Sequence, residues 1–130
     1  MSTLLSLSFQ DPQLLMALTQ ASDAELDQLD FGVIGFDATG VVRAYNSYES
    51  SCAGLSVERV KGHPLFTVVA PCMNNYLVAQ QFEDAAAAST GLDLTLDYVL
   101  TLRMRPVKVK LRLLADPSAA LRFVLVLRRS

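Results

Sequence analysis

Cys72 is the residue of this sequence with the most scope for chemistry, because it follows a proline at the end of the short apolar run 68–70. Residues 73–89 are rich in alanine and other helix formers, so they predict a long helix that begins beside this cysteine. Free N–H groups and the helix dipole at such a start favour a thiolate and any negative oxygen attached to it. The alternative is a structural cysteine, since free cysteines usually behave as small hydrophobic side chains.

Tyr45 and Glu49 are two further candidates, at the junction between a predicted strand and a short helix that Asn46 can cap. Their spacing predicts proximity across that junction, which is a weaker contact than that of two residues on one helix face. From the residue types alone, an edge aromatic and a solvated helix carboxylate are the commoner roles.

His63 is the only histidine and lies in a Gly-His-Pro turn. A nucleophilic pair with Cys72 would need a carboxylate or amide to orient the imidazole, and the sequence identifies none, so a surface turn residue is predicted. One histidine and two separated cysteines, Cys52 and Cys72, do not form a cluster of metal ligands. We therefore predict no catalytic residue and no metal site.

The composition predicts a single folded domain without an electrostatic attraction to nucleic acid, since the 130 residues are 52% hydrophobic with a formal net charge of −2. Two cysteines and no signal peptide favour a reducing, cytoplasmic setting. No apolar run approaches the length of a membrane span. Basic residues concentrate late in the chain, where their alternation along strands predicts a solvated sheet face rather than a phosphate-binding patch.

Residues 1–28 predict an N-terminal helical arm that caps a body formed by residues 29–130. Asp11 and Pro12 are a helix-start signal, and Ser22 and Glu25 have the spacing of a capping box. Because the arm is amphipathic, we expect it to dock on the body through one face, in a way that can be reversible.

The body predicts one antiparallel sheet with flanking helices. Residues 31–36 and 41–45 form a hairpin around a polar turn with a terminal glycine, and three more strands are predicted at 92–104, 107–113 and 123–127. Short helical turns are predicted between residues 46 and 62, before the long helix at 73–89. The sequence therefore predicts an α+β domain with a five-stranded antiparallel sheet.

Several motifs of this chain resemble the photoactive yellow protein family, whose members are blue-light receptors with a PAS fold. The likeness runs from about Leu26 to the C-terminus. The motifs are Phe31-Gly32-x-Ile34, Gly40 followed by Tyr45-Asn46-x-x-Glu49, Gly62 with Phe66, Val69-Ala70-Pro71-Cys72, Asp97-Tyr98, and Met104-x-Pro106-x-Lys108-Val109-Lys110.

The resemblance implies that Cys72 carries a p-coumaroyl (4-hydroxycinnamoyl) group through a thioester, with Tyr45 and Glu49 hydrogen-bonded to its phenolic oxygen. A phenol has a pKa of about 10 in water, so donors must stabilise its anion inside a protein, and a buried carboxyl that keeps its proton is such a donor. The implied pocket also includes Ala53, Leu55, Leu65, Val69, Ala70, Pro71 and Met104.

Three pocket positions depart from the family pattern. Ala53 stands where the family commonly has a threonine, and Leu55 stands where it commonly has an arginine over the chromophore. Neither can donate a hydrogen bond. Leu65 replaces a usual aromatic residue, whereas Met104 matches the family's methionine and is otherwise ordinary core filling.

The implied function is a non-enzymatic photoreceptor, in which light-driven trans–cis isomerisation and proton transfer from Glu49 leave a buried carboxylate that loosens the fold and releases the arm. We expect a downstream signalling protein as partner and a monomer or weak dimer, with no binding to membrane or nucleic acid. The alternatives are a PAS interaction module without a chromophore, which Ala53 and Leu55 favour, and a cysteine-dependent hydrolase, for which a base is missing.

Overall fold

A single five-stranded antiparallel sheet organises the fold. The computed structural model describes residues 9–100 and 106–128 of the chain. The strands are β1 (Gly32–Phe36), β2 (Val42–Tyr45), β3 (Leu92–Leu100), β4 (Val107–Ala115) and β5 (Arg122–Arg128). Their order across the sheet is β2-β1-β5-β4-β3, with every neighbouring pair antiparallel. The predicted α+β class and sheet are confirmed, and the predicted strand residues 101–104 lie outside the described ranges.

In the described ranges, five short α-helices flank the sheet: α1 (Leu14–Thr19), α2 (Asp23–Leu26), α3 (Ser47–Ala53), α4 (Val57–Val60) and α5 (Ala79–Ala88). The capping box before α2 is present, because the Ser22 hydroxyl accepts from the backbone N–H of Glu25 and the Glu25 carboxylate accepts from that of Ser22. Gly54 ends α3 with a φ of 75°, a left-handed conformation that suits glycine. Within the described ranges, no helix has the length and apolar character that crossing a membrane requires.

The long helix predicted for residues 73–89 is wrong in its first part. Leu65–Val69 forms a π-helical turn and Pro71–Met73 a 3₁₀ turn, and α5 begins only at Ala79. The side-chain oxygen of Asn75 accepts from the backbone N–H groups of Leu77 and Val78, at 2.9 and 3.2 Å, and this local bonding competes with a continuous helix. Cys72 therefore lies in a three-residue turn, and the dipole of a long helix does not act on its thiol.

Two apolar clusters cover the two faces of the sheet. The first cluster contains buried side chains of β1, β2, β4 and β5 together with Leu65, Val69 and Phe82. The second, on the N-terminal side, packs Leu14 and Leu18 of α1 against strand residues that include Val33 and Leu125. All five residues of β1 are buried, and its side chains alternate between the clusters, with Val33 in the second and Ile34 and Phe36 in the first.

Arg112 corrects the expectation that the late basic residues form a solvated sheet face. Its side chain on β4 is only 5% exposed and makes a bidentate ion pair with Asp93 of β3, at 2.8 and 2.9 Å. Its Nη1 also donates to the backbone carbonyls of Phe9 and Asp11, at 2.9 and 2.7 Å. The sequence could not reveal this burial, since the segment that covers Arg112 lies a hundred residues away along the chain.

We predict that Arg112→Met loosens the N-terminal segment, because methionine keeps an apolar stem but removes these hydrogen bonds. The free energy of unfolding should fall by about 2 kcal/mol, and hydrogen exchange should accelerate most in α1. Arg43→Met is the control, since it breaks only the exposed pair with Asp37 and should cost less than about 1 kcal/mol. Unchanged exchange in α1 would contradict the prediction.

Candidate functional site

The buried side chain of Asn46 fixes the junction that carries Tyr45 and Glu49. Its oxygen accepts from the backbone N–H groups of Val33, at 2.9 Å, and of Glu49, at 3.2 Å. Its amide nitrogen donates to the carbonyls of Leu26 and Phe31, at 3.0 and 2.9 Å. One side chain thus caps α3, as predicted, and also ties it to β1, to the end of α2 and to the segment that follows α2.

Tyr45 is a buried member of the first cluster, in which Leu65, Val69 and Ala70 are also buried. Burial raises the pKa of Tyr45, with the nearby Glu49 carboxylate acting in the same direction, so its hydroxyl stays protonated and can act as a hydrogen-bond donor. The half-buried side chains of Leu55 and Cys72 pack against the same cluster. The structure therefore gathers six of the predicted site residues around one apolar region, counting Tyr45, Leu55, Leu65, Val69, Ala70 and Cys72.

Glu49 is 1% exposed, so the solvated role that its residue type suggests does not apply. Its carboxylate accepts a bidentate pair of hydrogen bonds from Arg128 of β5, at 2.5 and 3.0 Å. Burial raises the pKa of Glu49, whereas the hydrogen bonds and positive charge of Arg128 act against that rise. Within the described residues, the Glu49 carboxylate is hydrogen-bonded to Arg128 and not to the Tyr45 hydroxyl.

Arg128 is the functional candidate that the sequence analysis missed. The alternation along the late strands predicts a solvated position for it, yet its side chain is only 14% exposed. The sequence feature that could have pointed to a buried contact here is Gly32 of β1. An ideal Cβ at this position would lie 2.0 Å from Oε1 of Glu49. A glycine in a buried strand marks a close approach by another group, but the sequence does not name that group.

Two hydrogen bonds hold the Cys72 carbonyl, and a third joins their two donors. The Tyr98 hydroxyl donates to the Cys72 carbonyl at 2.5 Å, and the Asn75 amide donates to the Tyr98 oxygen at 2.6 Å and to the same carbonyl at 3.2 Å. Cys72 itself is partly exposed, and Cys52 is exposed on α3. The Cys72 carbonyl is thus held by hydrogen bonds, while its side chain packs against the first cluster.

The remaining predicted site residues fall in different environments. Ala53 is buried at the end of α3, Pro71 is exposed, and Met104 lies outside the described residues. His63 is exposed in the turn before Pro64, where its carbonyl accepts from the backbone N–H of Val42. Across residues 9–100 and 106–128 there is no group of histidine, cysteine and acidic side chains suited to a metal ion.

Comparison with known proteins gives concordant results. A family model described as the PAS fold matches residues 26–129. The chain is 34% identical over 97 residues to the photoactive yellow protein of Rhodothalassium salexigens, covering 75% of this chain and 77% of that protein. It is 35% identical over 97 residues to that of Halochromatium salexigens, with the same coverage of 75% and 77%.

Among solved structures, the fold is similar to the photoactive yellow protein domain of the sensor histidine kinase Ppr from Rhodospirillum centenum. The TM-score is 0.75 at 34% identity, and the match covers 85% of this chain and 94% of that domain. Sequence and fold thus point to the same relatives over most of the chain. The chain belongs to the photoactive yellow protein family, a group of PAS-fold photosensory domains that are not enzymes.

Proposed function

We propose that this domain is a blue-light photoreceptor that carries a p-coumaroyl group as a thioester on Cys72. The observation that carries the proposal is that the partly exposed Cys72 packs against the same apolar cluster that buries Tyr45. When bound, the group supplies light absorption and a double bond that isomerises. Its phenolic end would be held by Tyr45 and Glu49, as the family resemblance implies.

The donor set of the site suits such a group. A thioester needs a thiol that a reagent can reach, and Cys72 is partly exposed with its carbonyl held by Tyr98 and Asn75. An aromatic ring needs apolar walls, which Leu65, Val69 and Ala70 would supply. We therefore assign Cys72 to attachment, with Leu55, Ala53, Pro71 and Met104 as further lining.

Tyr45 and Glu49 would provide the polar end of the pocket. Burial keeps the Tyr45 hydroxyl protonated, and a protonated Glu49 carboxyl would be a second donor to a phenolic oxygen. In a site that excludes water, both hydrogen bonds are stronger than they would be in water. Transfer of the Glu49 proton to the phenolate would move the negative charge onto the buried Glu49, and this redistribution of charge would drive a structural response.

The N-terminal residues up to 28 would report that response. In the described part of this arm, Leu14 and Leu18 cover one face of the sheet, and Arg112 donates to the carbonyls of Phe9 and Asp11. Release of the arm would uncover an apolar surface that a signalling partner can bind. We propose the arm as the output element and residues 29–130 as the photosensory body.

A second candidate function is a PAS interaction module without a chromophore. The Glu49–Arg128 pair favours it, because a carboxylate that is already paired with a guanidinium does not need a phenolic partner. Ala53 and Leu55 favour it too, since neither can donate a hydrogen bond to the pocket. The two functions differ in one measurement: after treatment with activated p-coumarate, only the photoreceptor becomes yellow, bleaches in blue light and recovers in the dark.

We predict that Cys72→Ser prevents attachment of the chromophore but preserves the fold, because a hydroxyl is a weaker nucleophile and the change in size is small. After treatment with activated p-coumarate, intact mass should show one p-coumaroyl addition on the parent and none on the variant, and only the parent should absorb visible light. Cys52→Ser is the matched control and should be modified like the parent. Colour in Cys72→Ser, or its loss in Cys52→Ser, would place the attachment elsewhere.

We predict that Glu49→Gln retains the chromophore and shifts its absorption to the red, because a neutral amide donates a weaker hydrogen bond and leaves more charge on the phenolate. The variant also removes the transferable proton. Infrared difference spectra should show a carboxyl signal that disappears on illumination in the parent and is absent from Glu49→Gln. Identical difference spectra for the two proteins would exclude Glu49 as the proton donor.

A further inference from the structure

The Glu49–Arg128 pair joins α3 to the end of β5. The photoreceptor function proposed above gives a role to Glu49 but none to Arg128. Both oxygens of the carboxylate bind the guanidinium, at 2.5 and 3.0 Å, and the side chains are 2% and 14% exposed. A bidentate arrangement fixes orientation as well as charge, which a single contact with a flexible ammonium would not do.

Gly32 gives this pair its path across the sheet. The Glu49 carboxylate occupies the space that any side chain at this position would fill, since a Cβ there would lie 2.0 Å from Oε1 and 3.0 Å from Cδ. Gly32 pairs with Val126 of β5, two residues before Arg128. The carboxylate therefore passes over the backbone of β1 to reach β5, and only a glycine at this point of β1 permits it.

The other titratable groups around the pair cannot replace Arg128. Tyr45 interacts electrostatically with both Glu49 and Arg128, and Tyr48 and Cys52 interact with Arg128, while Asp30 acts on Tyr48. Each of these groups is neutral or negative, so none can balance the charge of an ionised Glu49. In the described part of the chain, Arg128 is the cation in contact with this carboxylate.

We propose that Arg128 is the counter-ion that receives the Glu49 carboxylate once Glu49 has lost its proton, and that it is thereby a positioning residue of the photosensory site. The proposal rests on the proposed function for the step that removes the proton. In that step the Glu49 O–H bond would break, its proton would pass to the phenolate oxygen, which becomes a neutral phenol, and the negative charge would move to Glu49. Arg128 neither gains nor loses a proton and balances this charge by its hydrogen bonds.

The structure has Glu49 in the paired arrangement with Arg128. A protonated Glu49 that donates to a phenolic oxygen must give up at least one of the two contacts, since a neutral carboxyl no longer attracts the guanidinium as an anion does. The site would then have two arrangements, one with the proton on Glu49 and one with the carboxylate on Arg128. The second arrangement fastens α3 to the end of β5, and the first leaves Arg128 freer.

We predict that Arg128→Gln raises the pH at which Glu49 becomes protonated in the protein without chromophore, by about one pH unit or more. The variant removes the positive charge that lowers the pKa of Glu49, so the rise in pKa caused by burial is no longer opposed. The midpoint is read from the infrared carboxyl band as the pH is varied, with Glu49→Gln identifying the band. Arg128→Lys should shift it less, and Arg122→Gln, which removes an arginine from the other end of β5, should leave it unchanged.

The raised protonation midpoint of Glu49 also predicts how the unfolding free energy of Arg128→Gln depends on pH. A carboxyl whose folded pKa is raised stabilises the fold below its unfolded pKa, and this contribution is lost as the pH rises through the folded pKa. The unfolding free energy of Arg128→Gln should therefore fall relative to the parent as the pH rises from about 4 towards neutrality. A midpoint and a pH profile equal to those of the parent would overturn the counter-ion role. If Arg128→Gln does not fold, the midpoint of the same infrared carboxyl band in Arg128→Lys decides, and a midpoint equal to that of the parent overturns the role.

In the chromophore-loaded protein, Arg128→Gln should shorten the lifetime of the state in which Glu49 is ionised, by about tenfold for one unit of pKa, because the carboxylate regains its proton more readily. An unchanged lifetime would overturn the role of Arg128 in the light cycle. If the treated protein takes up no chromophore, the proposed function fails, and the titration without chromophore still decides whether Arg128 is the counter-ion.

We predict that Gly32→Ala has the same effect with Arg128 left intact, because the added methyl group displaces the carboxylate from its path. The protonation midpoint of Glu49 should rise, and the protein should be less stable than the parent at neutral pH. Gly91→Ala is the matched control, since a Cβ there would lie 3.5 Å from its nearest neighbour, an ordinary contact. The cost of Gly32→Ala should be smaller in a Glu49→Ala background, and an equal cost would show that the carboxylate does not occupy this space.

Discussion

The hydrogen bonds of Asn46 are the interaction on which the arrangement of the site depends. This side chain uses its oxygen twice, on β1 and on the first turn of α3, and its amide nitrogen twice, on the carbonyls of Leu26 and Phe31. A buried amide is costly unless its polar atoms are satisfied, and here each atom is. Because Tyr45 precedes it and Glu49 follows within one helical turn, Asn46 fixes the backbone from which both polar side chains project.

Glu49 then depends on two residues remote from it in sequence. Gly32 leaves the space that its carboxylate fills, and Arg128 supplies the opposite charge at the end of that space. A buried ion pair adds little net stability, because both charges must leave water. Removal of one partner is costly, however, because the other charge then remains buried without compensation. Such a pair is therefore suited to respond to a change in protonation, since a gain or loss of one proton alters its balance.

The sequence predicted the parts of this fold that local chemistry determines. The hairpin of β1 and β2, the capping box at Ser22 and the cap at Asn46 all follow from residue types within a few positions of one another. The helix predicted for residues 73–89 failed locally, because the Asn75 side chain bonds to its own neighbouring backbone. Periodicity and alanine content do not register that competition.

The partners of the charged residues could not be predicted in the same way. Arg112 and Arg128 resemble ordinary arginines of a strand, and what distinguishes them is burial by segments about a hundred and about eighty residues away. Residue type and spacing singled out Cys72, Tyr45 and Glu49, and the family resemblance implied their roles, but neither contains information about partners that lie outside the motifs. Contacts between segments that are distant along the chain can be identified only from the three-dimensional structure.

The sheet also offers a physical connection between the site and the arm. Val33 of β1 and Leu125 of β5 lie in the cluster that α1 covers, while Ile34 and Val124 of the same strands lie in the cluster that contains Tyr45. A strand alternates its side chains between faces, so a shift of one strand moves both clusters at once. The Glu49 carboxylate spans these two strands, over β1 and onto the end of β5. Under the proposed function, a change in its charge would therefore act on the strands against which α1 packs.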